Sequence, residues 1–319
     1  MNTDFQRAYR QNISSILDCL GMALEWLGIG HGRVASYKKL LAEYYEGQRS
    51  NEHFFAFHQA MDALSIFESW VDSVKDFPGL LDKIAVVFKK GPLLSHDESS
   101  ASNSNRPRND GFVYILGGKL HHGRDIGIIS VDGIRNSKLG TTEIEMDLRR
   151  DIALQFQGNL MTIECKRPMN SDTLPQNIEV ALRQLSASGG KNALGIVAVD
   201  ISKLIEQPGQ YLEASSVDAG ANYLTDRVAE ILAPLTGQCR QEWLLGFIGF
   251  ASIPMVATAR SIILQQDGRP HEITNLRTSA ISWVTVKNPK CRNRELLNEL
   301  QLSFVQTDHG VPLNSVPMN

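Results

Sequence analysis

The sequence predicts an α/β protein, a mixed sheet flanked by helices, with an all-helical domain ahead of it. Three observations predict this. Residues 1–95 carry apolar side chains at helical spacing. A polar, Ser- and Asn-rich stretch, HDESSASNSNRP at 96–107, interrupts them and has the composition of a linker. From Arg108 onward, β-branched runs alternate with amphipathic helical segments, the pattern of helices layered on a sheet. The expected organisation is a helical domain at 1–95, a linker at 96–107, an α/β domain at 108–305 and a flexible tail at 306–319.

The chain has 319 residues, which suits two domains at about 150 residues each. Hydrophobic residues make up 42% and charged residues 21%, which excludes a wholly disordered chain or a fibrous repeat. The net charge is −3, so any nucleic-acid surface must be a local patch on a nearly neutral body. Cys19, Cys165, Cys239 and Cys291 lie far apart, which argues against a zinc ribbon or a disulfide framework. The polar start, MNTDFQRAYRQN, lacks the apolar stretch of a signal peptide, and the cytoplasm is the expected location. Uncharged Trp243–Ala259 is shorter than the roughly 20 residues of a spanning helix and contains Pro254. It reads as buried strand, and no membrane association is expected.

Taken in order, Ile13, Ile16, Leu17, Leu20 and Leu24 mark the buried face of a first helix. A second is expected at 36–45 and a third at 52–74, where Phe54, Phe55, Phe57 and Phe67 fill a core. His53 and His58 in that third helix read as structural. Residues 108–123 suggest a helix and 125–131 a strand. Residues 151–156 and 160–166 form two strands around a Gly158–Asn159 turn. A helix is expected at 173–186, with Thr173 and Gln176 spaced as a capping box. Residues 193–201 read as a strand buried on both faces, because the run ALGIVAVDI is continuously apolar and β-branched. A helix at 222–235, strands at 243–250, 254–264 and 279–286, and a helix at 293–302 complete the chain.

The hairpin at 151–166 carries the chemistry. With Gly158–Asn159 as the turn, Asp151 falls opposite Lys166 and Ala153 opposite Glu164. Alternation gives one apolar face of Ile152, Leu154, Phe156, Met161, Ile163 and Cys165. The other face gathers Asp151, Ala153, Gln155, Thr162, Glu164 and Lys166. Two carboxylates so close repel unless a cation lies between them. Hard oxygen ligands suit Mg²⁺ or Mn²⁺, and a neighbouring lysine suits work on an attacking water or on a phosphate. Such a set is fit for metal-assisted phosphodiester hydrolysis. The same charges on an exposed hairpin would only solubilise it.

An acid opening one strand, followed by acid-x-lysine on the next, resembles the signature of the PD-(D/E)XK, restriction-endonuclease-like nuclease superfamily. Here it reads as Asp151 and then Glu164-Cys165-Lys166, within MTIECKRP. The resemblance covers residues 108–205. It implies a restriction-endonuclease-like sheet and a Mg²⁺- or Mn²⁺-dependent nuclease acting on nucleic acid, DNA above all. It implies that Asp151 and Glu164 hold the metal with the Cys165 carbonyl, and that Lys166 acts on the attacking water. Arg150 stands where the signature has a proline. Asp147 and Asp125 compete with Asp151 for the first acid's role. Asp110, Glu143 and Glu145 are candidates for a further acid. Members place a glutamine on the helix after the hairpin, which assigns Gln184 an accessory catalytic role.

Arg149, Arg150, Arg167, Arg183 and Lys191 cluster near the hairpin in sequence and are candidate phosphate contacts. Lys287, Lys290, Arg292 and Arg294 form a second basic group. Ser188-Gly-Gly-Lys191 is no phosphate loop, since Leu185 stands where the first Gly is required and Asn192 follows the lysine. Adjacent His121 and His122 make a poor metal pair on a helix. A homodimer, a regulatory protein partner and a part in defence against foreign DNA are expectations of the resemblance. The rival expectations are an inactive binding or assembly module on the same fold, and a nuclease effector gated by a partner or ligand.

Overall fold

The computed structural model describes residues 13–48, 50–98, 105–139, 150–188, 193–206, 209–237, 239–258, 261–264, 270–273 and 276–305. The N-terminal helices are α1 (Ile13–Trp26), α2 (Arg33–Tyr45), α3 (Asn51–Trp70) and α4 (Leu80–Lys89). Then come α5 (Arg106–His121), β1 (Ile126–Val131), β2 (Ile134–Arg135), β3 (Ile152–Phe156), β4 (Asn159–Lys166) and α6 (Leu174–Ser188). The rest is β5 (Leu194–Asp200), α7 (Ser202–Ile205), β6 (Leu212–Ala214), α8 (Val217–Thr236), β7 (Leu244–Ala257), β8 (Ser261–Leu264), β9 (Pro270–Ile273), β10 (Leu276–Lys287) and α9 (Glu295–Val305).

Eight strands form one mixed sheet in the order β10-β7-β5-β4-β3-β1-β2, with β6 added on β7. β4, β5 and β7 run parallel, while β3, β1 and β10 are antiparallel to their neighbours. The centre of the sheet is therefore covered on both faces, as parallel strands require. One face packs against α1–α5 and α9 through Leu20, Phe67, Leu116, Ile163, Ile196 and Phe304. The other packs against α6 and α8 through Ile178, Ala181, Val197, Val199, Val228 and Phe247. The α/β expectation, a mixed sheet flanked by helices, is what the chain adopts.

The first helix forms as its periodicity requires, burying Ile16, Cys19, Leu20, Ala23 and Leu24. In α3, Ser50 caps the N-terminus by accepting the His53 amide, and His53 and His58 are buried against Ser50 and Ser279. Both are structural, as the sequence suggests. The helix is shorter than expected and closes at Trp70, whose indole N–H donates to the Tyr114 carbonyl across to α5. Gly118 permits this crossing, since a Cβ there would lie 2.3 Å from Ser69 Cβ.

Three expectations are corrected. The stretch at 96–107 does not coincide with a break in the core, because one cluster runs from Ile16 to Phe304 and joins the helices to the sheet. One residue of this polar stretch is buried by ion pairs. The Glu98 side chain is fully enclosed and meets Arg108 and Arg167. Second, 243–250 and 254–264 are not two strands, because β7 runs unbroken through Pro254. The Ser252 amide donates to Ser202 Oγ, so by alternation the position of the missing Pro254 N–H faces the same edge. That edge is open there, because β5 pairing ends at Phe250 and β6 pairing begins at Met255. A proline is tolerated in such a gap. Third, Thr173 does not form the expected box. Its hydroxyl donates to the Asn170 carbonyl, and its amide donates to Asn170 Oδ1.

Gly246 makes a bulge where β7 shifts register against β5, with φ at 145°. A Cβ would stand 2.2 Å from the Val286 carbonyl oxygen. Gly246→Ala is expected to destabilise the fold by about 3 kcal/mol or more, as a backbone clash in an unfavourable φ region. Chemical denaturation measures it.

Candidate active site

β3 and β4 are joined by Gln157 and Gly158, whose φ values are 48° and 75°. Both are left-handed, as a type I′ hairpin loop requires, and that loop favours Gly second. The expected Gly158–Asn159 turn is therefore displaced by one residue. Asn159 instead begins β4 and donates its side-chain N–H to the Gln157 carbonyl at 3.0 Å. The pairing becomes Ile152 with Ile163, Ala153 with Thr162 and Leu154 with Met161. The two faces keep their membership, but the expected Asp151–Lys166 and Ala153–Glu164 pairs do not form. Continuing the ladder by one position sets Asp151 against Glu164. The correction brings the two acids closer together than the sequence reading did.

Glu164 lies in the middle of the sheet, between β3 and β5, on the face covered by α6. Its side chain is only 1% exposed. Arg150 Nη1 donates to Oε1 at 3.0 Å, and Lys166 Nζ donates to Oε2 at 3.2 Å. Asp151 Oδ2 accepts the Cys165 amide at 2.7 Å. Burial pushes the Asp151 carboxyl up to about 6, and the Glu164 charge pushes the same way. The Cys165 N–H and Lys166 pull against them. The two acids thus share one partly closed site with two cations, Arg150 and Lys166.

The ladder between β1 and β3 adds a third acid beside these two. Asp132 donates its amide to the Asp151 carbonyl at 2.6 Å. It sits in an Asp132–Gly133 turn with φ 48°, which swings its carboxylate toward α5. There it accepts the Tyr114 hydroxyl at 2.8 Å and meets Lys83 at 2.7 Å. Asp132 was legible only as an Asp-Gly turn signal after a strand. Beside it opens a cleft of about 510 Å³ lined by Lys83, Lys90, Arg106, Asp110, Tyr114 and Asp132. Asp110, one of the proposed further acids, belongs to this cleft. It pairs with Arg106 at 3.7 Å and does not join Asp151 directly.

Other expected residues fall elsewhere. Asp125 is exposed at the far end of β1, next to the residue that pairs with Phe156, and is removed as a rival first acid. Arg150 is 4% exposed and paired with Glu164, so it is not a surface contact for phosphate. Its Nε is buried without a hydrogen-bond partner. Arg167 is also buried. It donates to Asp200 at 2.9 Å and to both oxygens of Glu98, one at 3.1 Å, and it ties β4 to the helical layer. Arg183 and Gln184 are exposed on α6, with Arg183 3.9 Å from Glu179. Cys165 points its thiol into the opposite core, where burial raises its pKa, so the ligand role expected of it rests on its carbonyl. Lys287 and Arg294 of the second basic group pair with Glu295. Asp147, Glu143, Glu145, Arg149 and Lys191 lie outside the described residues.

No group of three or more His, Cys, Asp or Glu side chains fit to hold a metal occurs among the described residues. The acids here act as a pair. Mg²⁺ retains several waters and is held by one or two carboxylates, so Asp151 and Glu164 fit it. Burial raises the Asp151 carboxyl most, and a cation there would offset the second cause, the charge of Glu164. No described helix is long and apolar enough to cross a membrane. No protein-family model, no curated protein and no solved structure matches the chain.

Proposed function

We propose that the chain is a Mg²⁺- or Mn²⁺-dependent nuclease that hydrolyses phosphodiester bonds in nucleic acid, with DNA as the substrate. The observation that carries this is that Asp151, whose Oδ2 accepts the Cys165 amide at 2.7 Å, feels the charge of Glu164, with Lys166 Nζ 3.2 Å from Glu164. Asp151 and Glu164 would hold the ion, with the Cys165 carbonyl beside them. Bound there, the ion supplies Lewis-acid stabilisation of charge on the phosphodiester. Lys166 is 14% exposed, so its ammonium reaches the edge of the site and is placed to orient an attacking water and to steady charge on the scissile phosphate. Lys83, Lys90 and Arg106 of the neighbouring cleft offer cations for adjacent phosphates. Cleavage of plasmid DNA with Mg²⁺ or Mn²⁺, set against Lys166→Ala and Asp151→Ala, tests the reading. Equal cleavage by the three proteins would overturn it.

One observation favours a second reading. Arg150 already supplies a cation to Glu164 inside the sheet. A nuclease fold that has lost turnover and keeps a structural ion pair would look like this. It would bind nucleic acid with no metal-dependent cleavage in the same assay.

The Asp151 carboxyl yields a separate expectation. Its folded value is about 6 against an ordinary 3.8, so folding binds a proton between those values. Its charge therefore costs stability above about pH 6, and that cost fades as the pH falls toward 4. In chelator, Asp151→Asn is expected to be more stable than wild type by up to about 3 kcal/mol above pH 7. The difference is expected to vanish near pH 4. Denaturation curves across that range measure it, and a variant less stable at every pH would contradict it.

A further inference from the structure

Between the helical layer and the carboxyl ends of β4, β5 and β7 lies a cavity of about 60 Å³. Its wall joins Arg33 of α2, Asp62 of α3, Arg108 of α5, Arg167 after β4, Asp200 of β5 and Ser252 of β7. Most of these groups are satisfied within the wall. Arg108 donates to the Leu93 and Pro92 carbonyls at 2.9 and 3.1 Å. Arg167 is held by Asp200 and Glu98, and Asp200 Oδ1 accepts the Ser202 amide and hydroxyl.

Arg108 Nε makes no hydrogen bond but lies 3.2 Å from a Glu98 oxygen, which leaves two buried atoms and one carboxylate to account for. Arg33 donates Nη2 to the Val87 carbonyl at 2.6 Å, but its buried Nε has no hydrogen-bond partner. Ser252 is 6% exposed, and its hydroxyl likewise has no partner. The Asp62 carboxylate accepts no hydrogen bond from a described residue. Burial pushes the Asp62 carboxyl up to about 7, with Asp200 adding to the effect against the pull of three arginines. Buried polar groups are paired with protein, water or ligand. The buried Arg33 Nε and Ser252 hydroxyl, unpartnered at the wall of a cavity that Asp62 also lines, therefore point to an occupant.

Charge and size restrict that occupant. Arg108 and Arg167 pair with Glu98, Arg167 also with Asp200, and Glu206 with Lys203, which leaves Arg33 facing Asp62, so the wall favours an occupant of no net charge. At roughly 10–15 Å³ for each water, the space takes roughly four to six waters or a molecule of that size. Phe112 and Phe250 supply an apolar side. We propose that this cavity binds a small neutral molecule carrying an N–H donor beside a carbonyl acceptor, an amide or lactam. Its N–H is donated to Asp62, its carbonyl accepts from Arg33 Nε, and the Ser252 hydroxyl completes the set. Arg167, the residue after Lys166, joins the cavity wall to the candidate active site. The proposal concerns binding and stands apart from the nuclease reading.

The test titrates the full chain with acetamide and 2-pyrrolidone, by calorimetry and thermal shift, with acetate and guanidinium as charged comparators. Saturable binding of an amide is expected, with both ions weaker by about tenfold or more. Asp62→Ala is expected to weaken amide binding by about tenfold, whereas Asp62→Asn, which keeps an acceptor oxygen, stays within about threefold. Should Asp62→Ala fail to fold, Ser252→Ala reads the same site and is expected to weaken binding by about threefold. No saturable amide binding to the wild type would mean that water alone fills the cavity and would overturn the proposal. Binding of either ion as tight as that of the amide, or amide binding unchanged in the folded variants, would overturn it too.

Discussion

Lys166→Ala is expected to lower metal-dependent phosphodiester cleavage by about 10²–10⁴-fold, the range for a positioned group that assists proton transfer in the transition state. The expectation rests on where the ammonium sits. Lys166 ends β4, is 14% exposed, and reaches Glu164 at 3.2 Å. Removing it takes away one hydrogen bond at the rim of the sheet and leaves the buried Arg150–Glu164 pair in place. The variant should therefore stay folded, which separates a lost activity from a lost fold. Lys166→Arg keeps the charge but replaces a compact ammonium with a planar fork, so it is expected to restore little of the activity. Loss of cleavage with unchanged unfolding midpoint supports the account. Full cleavage by the alanine variant removes Lys166 from the mechanism.

Glu164→Ala is expected to destabilise the fold by about 3–5 kcal/mol, because it leaves the Arg150 guanidinium buried without its partner. Arg150 is 4% exposed and Glu164 is 1% exposed, so water does not compensate either group. Replacing both members by apolar residues of similar size is a different experiment. Arg150→Met with Glu164→Leu is expected to recover most of the lost stability, since a buried pair contributes little beyond what apolar packing supplies. Chemical denaturation of wild type, the single variant and the double variant measures the coupling. Equal destabilisation in the single and double variants would show that the pair is not the cause. The same numbers bear on the site. A divalent ion at Glu164 competes with Arg150 for Oε1, so the pair sets a threshold that metal binding must overcome.

Much of the sheet was legible because its signals are local. The continuous apolar run of β5 and the spacing of Ile178, Ala181 and Leu185 in α6 each need only neighbouring residues. What escaped depends on partners distant in sequence. The polar stretch around Glu98 reads as a linker by composition, yet its carboxylate is buried by Arg167, which lies 69 residues away. Arg150 reads as a phosphate contact until Glu164, 14 residues on, is seen to hold it. Pro254 divides β7 on paper because the open edge beside it is a property of β5 and β6. The hairpin shows the same limit at short range. Gln157-Gly158 and Gly158-Asn159 are both loop dipeptides, and only the demand for Gly at the second position separates them. The acid pair itself was legible from alternation. Its register was not, and Asp132 entered only once β1 was placed beside β3.

The central claim is that Asp151 and Glu164 together hold a divalent ion used in phosphodiester hydrolysis. The most direct test is a calorimetric Mn²⁺ titration of wild type and Asp151→Asn, run beside a plasmid-cleavage assay on the same preparations. The account predicts Mn²⁺ binding to wild type that weakens by about tenfold or more in the variant, with cleavage by wild type alone. No Mn²⁺ binding to either protein, or the same affinity in both, would contradict it and leave the hairpin as a buried ion-pair element of the sheet.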